Sequence, residues 1–60
     1  MTLKQLTAVF SNETVVDIST PANEKIFQGR IKESRDVDKA NYDVTWCEIH
    51  DNVLEVVVEK

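Results

Sequence analysis

Sixty residues with a net charge of −4, 42% apolar and 30% charged, describe one small globular domain and exclude a disordered chain. A chain of this size buries only about 60% of its unfolded surface, so the core is thin, and the single cysteine (Cys47) rules out an internal disulfide. No apolar run approaches the roughly 20 residues that cross a membrane, and the opening "MTLKQLTAVF" lacks the basic-then-apolar order of a secretory signal. A reduced thiol and a cytoplasmic location are therefore expected.

The charge is uneven. Residues 1–35 carry Glu13, Asp17, Glu24 and Glu33 against Lys4, Lys25, Arg30, Lys32 and Arg35, a balance of +1. Residues 36–60 carry Asp36, Asp38, Asp43, Glu48, Asp51, Glu55 and Glu59 against Lys39 and Lys60, a balance of −5. An acidic half argues against a general nucleic-acid binder, whose affinity comes mainly from neutralising phosphates.

At the N-terminus, Thr2 followed by Gln5 has the spacing of a capping box, and Leu3, Leu6 and Phe10 fall on one helical face. This predicts a helix of about ten residues ending at Ser11-Asn12, docked on an apolar surface. "ETVVDIS" is β-branched and predicts a strand over 14–19. "TPAN" predicts a turn, and "EKIFQGRIK" a second strand over 25–33 with Phe27, Gly29 and Ile31 on one face. Gly29 within that strand predicts close approach by the N-terminal helix. Residues 33–43 are polar, and Asp36–Ala40 reads either as one helical turn ended by Asn41 or as a plain loop.

"VTWCEIH" and "VLEVVVE" flank Asp51-Asn52, two residues that tolerate the positive φ of a tight hairpin turn. Strands over 43–50 and 53–59 then pair His50 with Val53, Ile49 with Leu54, Glu48 with Glu55, Cys47 with Val56, Trp46 with Val57 and Thr45 with Val58. Cys47 and His50, three apart, point to opposite faces of a strand and cannot share a metal ion. The same parity denies them a nucleophile–base pair, and one glycine in the whole chain leaves no phosphate-cradling loop. No catalytic residue, metal site or cofactor is expected, and the protein is expected not to be an enzyme.

The fold this predicts for residues 1–60 is a single α+β domain, an N-terminal helix packed on a four-stranded antiparallel sheet made of two β-hairpins. The expected core is Leu3, Leu6, Phe10, Val16, Ile18, Phe27, Ile31, Cys47, Ile49, Leu54, Val56 and Val58. The opposite face of the second hairpin would carry Val44, Trp46, Val53 and Val57 beside the like-charged pair Glu48 and Glu55. Either the helix or the 33–43 segment covers Trp46, or Trp46 is open and anchors a protein partner or a second copy of the chain. The leading expectation is a non-enzymatic protein-interaction module, a homodimer or a binder of another protein. The alternative is an acidic inhibitor that imitates nucleic acid, presenting Asp36, Asp38, Asp43, Glu48, Glu55 and Glu59 to a basic groove. Direct nucleic-acid binding through Lys25, Arg30, Lys32 and Arg35 ranks below both, and no membrane partner is expected.

The order of "TLKQL", a strand, "IFQG" on a second strand, and a strand pair around "DNVLEV" resembles short uncharacterised proteins of phages and mobile elements in Gram-positive bacteria. The similarity spans most of the chain, with "RDVDKANYD", in the variable polar segment, departing from it. It implies a small accessory protein working by contact in a bacterial cytoplasm, and it transfers no catalytic residue.

Overall fold

The Thr2 cap forms as its sequence demands. In the computed structural model, which describes all 60 residues, Gln5 N–H donates to Thr2 Oγ1 at 3.1 Å and Thr2 N–H donates to Gln5 Oε1 at 2.8 Å. The helix it starts, α1, spans only Leu3–Thr7, half the predicted length. Its continuation loosens into i→i+3 bonds, Val9 N–H to Leu6 O and Phe10 N–H to Thr7 O, both 3.3 Å. The Thr7 hydroxyl also donates back to Lys4 O at 3.3 Å. Thr7 and Val9 are β-branched, poor at holding a helix that no further turn propagates. Leu3 and Leu6 nevertheless reach the core, with Phe10 packed at its margin.

Four strands follow: β1 (Val15–Ser19), β2 (Lys25–Arg30), β3 (Asp43–His50) and β4 (Val53–Glu59). The two hairpins form as expected, β1 with β2 and β3 with β4. The sheet is mixed rather than all antiparallel. Its order is β2-β1-β4-β3, and β1 runs parallel to β4 with Val16 opposite Leu54 and Ile18 opposite Val56. The hydrophobic content of the strands explains which ones meet. "VVDIS" and "VLEVVVE" are the most apolar and take the centre, whereas the Lys- and Arg-flanked β2 and the polar β3 take the edges.

One face of the sheet is covered. Val16, Ile18, Leu54, Val56 and Val58 pack there against Leu3, Leu6 and Ile31. β2 ends at Arg30, short of the predicted 33, and the chain turns through one 3-10 turn at Ile31–Glu33 and a second at Lys39–Asn41. Ile31 still points inward, 8% exposed, because its N–H continues the pairing to Thr14 O at 3.0 Å. Gly29 has φ +149°, and a Cβ there would lie 3.2 Å from Cζ of Phe27. The close neighbour is thus the ring two residues back on the same strand, not the N-terminal helix.

Cys47 and Ile49 were expected inside and are exposed, Ile49 by 62%. β3 is an edge strand, and the five-residue helix covers only its beginning, where Leu3 N–H donates to Tyr42 O at 2.9 Å and Val44 N–H donates to Met1 O at 2.8 Å. Tyr42, Val44 and Val37 supply the margin of the core instead. No helix is long and apolar enough to cross a membrane.

Candidate functional site: the open face and outer edge of β3

The turn that organises this site is Asp51-Asn52, with φ of +51° and +65°. Positive φ at both central residues gives the hairpin the right-handed twist of its strands. It sets the register: His50 opposite Val53, Ile49 opposite Leu54, Glu48 opposite Glu55, Cys47 opposite Val56 and Trp46 opposite Val57. At Thr45 the register slips, so that Val44, not Thr45, faces Val58. The Thr45 hydroxyl donates to Val57 O at 3.1 Å across the bulge. An extra residue in a strand reverses the parity of what precedes it. Val44 therefore leaves the Trp46 side and packs at the margin of the core, which corrects its predicted place on the open face.

The remaining predicted residues, Trp46, Glu48, Val53, Glu55 and Val57, share the face opposite the core. The pairings of all four strands arrange this face in transverse rows. Arg30, Val15, Val53 and His50 form one; Gln28, Asp17, Glu55 and Glu48 the next; Lys25, Ser19, Val57 and Trp46 the third. Beyond Trp46 and Val57, Asp43 stands opposite Glu59. The indole and its valine partner thus lie between two carboxylate pairs, Glu48–Glu55 and Asp43–Glu59. Adjacent strands are about 4.8 Å apart, so each pair is close enough to repel, an arrangement that weakens the isolated sheet. On the far side of the row Lys25 neutralises Asp17 at 2.6 Å, whereas Glu48, Glu55, Asp43 and Glu59 meet no cation.

Trp46 is 48% exposed. The helix and the 31–42 segment both lie on the other side of the sheet, where Ile31, Val37 and Tyr42 join the core, so neither covers the indole. The outer edge of β3 is also open. Pairing with β4 alternates along an antiparallel strand, and in a two-residue hairpin it engages His50, Glu48 and Trp46, leaving the N–H and C=O of Ile49 and Cys47 directed away from the sheet. Met1–Leu3 occupy the edge only as far as Val44. From Thr45 to His50, every residue of β3 is exposed.

Cys47 and His50 stand on opposite faces, as the register requires. His50 Nδ1 lies 3.4 Å from Asp51 Oδ2, an exposed contact at the turn. No group of three or more His, Cys, Asp or Glu side chains converges, which follows from carboxylates laid out along a flat sheet. The openness of β3 on both faces was missed in the sequence because alternation assigns Cys47 and Ile49 to the core side without stating how far the helix reaches. Comparison of the chain with family models, with curated proteins and with solved structures yields no match.

Proposed function

We propose that this protein is a non-enzymatic protein-interaction module that binds an extended, basic segment of another protein along the outer edge of β3. The observation that carries the reading is the exposure of β3 from Thr45 to His50 on both faces, beside backbone groups of Cys47 and Ile49 that have no strand to pair with. A partner strand added there makes main-chain hydrogen bonds to those groups. Its side chains alternate in direction. One set falls beside Cys47 and Ile49 and is apolar. The other falls beside Trp46 and Glu48 and is Lys or Arg, answering the unneutralised carboxylate and stacking on the indole.

The same charges favour a foreign partner over a second copy of the chain. Self-association through the Trp46 face would bring Glu48, Glu55, Asp43 and Glu59 against their own equivalents, a like-charge contact that costs several kcal/mol.

The test is calorimetric titration with a synthetic octapeptide of alternating lysine and valine. Saturable 1:1 binding is expected, weakened about tenfold or more by Trp46→Ala, and by Glu48→Gln in low salt. Both side chains are exposed, so the variants retain the fold. Absence of binding, or binding unaffected by either substitution, contradicts the proposal.

The second reading, an acidic imitator of nucleic acid, gains support from the carboxylates Glu48, Glu55, Asp43 and Glu59, which share the outer sheet face and meet no cation. Asp36 and Asp38 lie apart from them, in the connection between β2 and β3. That reading predicts binding of a basic protein that weakens steeply with salt and is indifferent to Trp46→Ala, which separates the two.

A further inference from the structure

The chain has an excess of carboxylates, yet four of its seven cations engage none of them. Lys25 pairs with Asp17, Arg30 and Lys32 with Glu13, and Lys60 lies 5.4 Å from the Tyr42 ring centroid. The three left over are Lys4, Arg35 and Lys39, from α1, the connection after β2, and the second 3-10 turn. They meet around one pocket of about 490 Å³, where Lys32 joins them. Its lining contains no carboxylate, and Thr7, Ala8, Asn12 and Ile31 complete it. Lys39 Nζ donates to the Ser34 carbonyl at 2.7 Å, which holds its charge in the connection between the strands. Asp36 and Asp38 line the adjoining depression, of about 370 Å³, whose wall Lys4, Arg35 and Lys39 share.

Of the four cations only Lys32 is held by a carboxylate, Glu13 at 2.7 Å; Lys4, Arg35 and Lys39 gathered beside it repel one another, and an anion seated in the pocket removes that repulsion. We infer that this pocket, on the opposite side of the molecule from the Trp46 face, binds a small molecule carrying two or more linked phosphate groups. The volume lies in the range of small-ligand sites. Arg35 offers a planar fork for two phosphate oxygens while the three ammonium groups act as point charges. The Asn12 amide provides a neutral donor. A nucleic-acid strand fits less well. The pocket has no aromatic side chain on which a base stacks, and the acidic remainder of the surface repels a long polyanion.

The experiment is calorimetric titration of the full chain, at physiological ionic strength, with inorganic tripolyphosphate, with ATP, and with a ten-nucleotide single-stranded DNA. Saturable 1:1 binding of tripolyphosphate or ATP is expected. Arg35→Ala should weaken it about tenfold, the size of one charge-assisted hydrogen-bonding group, and Lys4→Ala with Arg35→Ala about a hundredfold. Lys25→Ala, outside the pocket, should change it less than twofold. ATP binding tighter than tripolyphosphate identifies a nucleotide as the source of the phosphates, and equal binding identifies the phosphates alone; either supports the site. Lys4 and Arg35 make no side-chain bond in the fold, and unchanged circular dichroism of the variants will verify their folding. No saturation at millimolar ligand, equal losses in the Lys25 and Arg35 variants, or binding of the oligonucleotide alone overturns the inference.

Discussion

Gly29 shows how a single position constrains this fold. Its φ of +149° lies where side chains of L-residues are strained, and the Phe27 ring crowds a Cβ there at 3.2 Å. Backbone strain of this kind costs about 1–3 kcal/mol. Gly29→Ala is therefore expected to lower stability by roughly that amount, measured by urea denaturation; an unchanged midpoint would show that the strand relaxes to ordinary dihedrals. The need for glycine was legible in the sequence, since a lone glycine within a strand signals close approach. The neighbour was not, because the φ that lets Phe27 fold over its own strand is invisible in a string of residue types. Thr2 is the opposite case. Its cap depends only on Gln5 three residues away, so both hydrogen bonds could be anticipated from spacing.

At the scale of elements, local signals were readable and distant ones were not. The hairpin of β3 and β4 depends on the turn at Asp51-Asn52 and on alternation, and its inner five pairs match the sequence-based register. The Thr45 bulge moved Val44 across the sheet because an inserted residue leaves no mark in a β-branched run. The parallel contact of β1 with β4 is a choice between strands about 40 residues apart in sequence, and alternation within each strand is equally satisfied by other orders. The short helix is the third case: its capping signal was clear, its stopping point was not, and that stopping point decides whether Ile49 is core or surface. The pair Ile49 and Leu54 tests this directly. They stand opposite one another on the same face, one 62% and the other 2% exposed. Leu54→Ala should cost about 2–5 kcal/mol and Ile49→Ala no more than about 0.5 kcal/mol. Equal losses in denaturant melts would show that something covers the end of β3.

On the scale of the whole molecule, the fold separates charge more sharply than the sequence halves suggest. Carboxylates without cations line the outer sheet face around Trp46, while Lys4, Arg35 and Lys39, which pair with no carboxylate, gather across the sheet, beside α1 and the 31–42 connection. The sequence showed an acidic C-terminal half but could not show that Lys4 meets Arg35 and Lys39, since the contact is made by a connection with no periodic signal. Five of the six residues expected on the open face are there, and Val44 is not. A molecule with this distribution should stay monomeric at low salt, with sedimentation returning 6.9 kDa; a concentration-dependent dimer would favour self-contact over a foreign partner. Trp46 is the only tryptophan, so its emission reports on the proposed contact without a label. Titration with the alternating lysine–valine peptide should shift that emission from the long wavelength of a half-exposed indole toward the blue, saturably, with the shift diminishing as salt is raised. Emission already blue in the free protein, or unmoved by peptide at any salt concentration, would contradict a contact surface centred on Trp46.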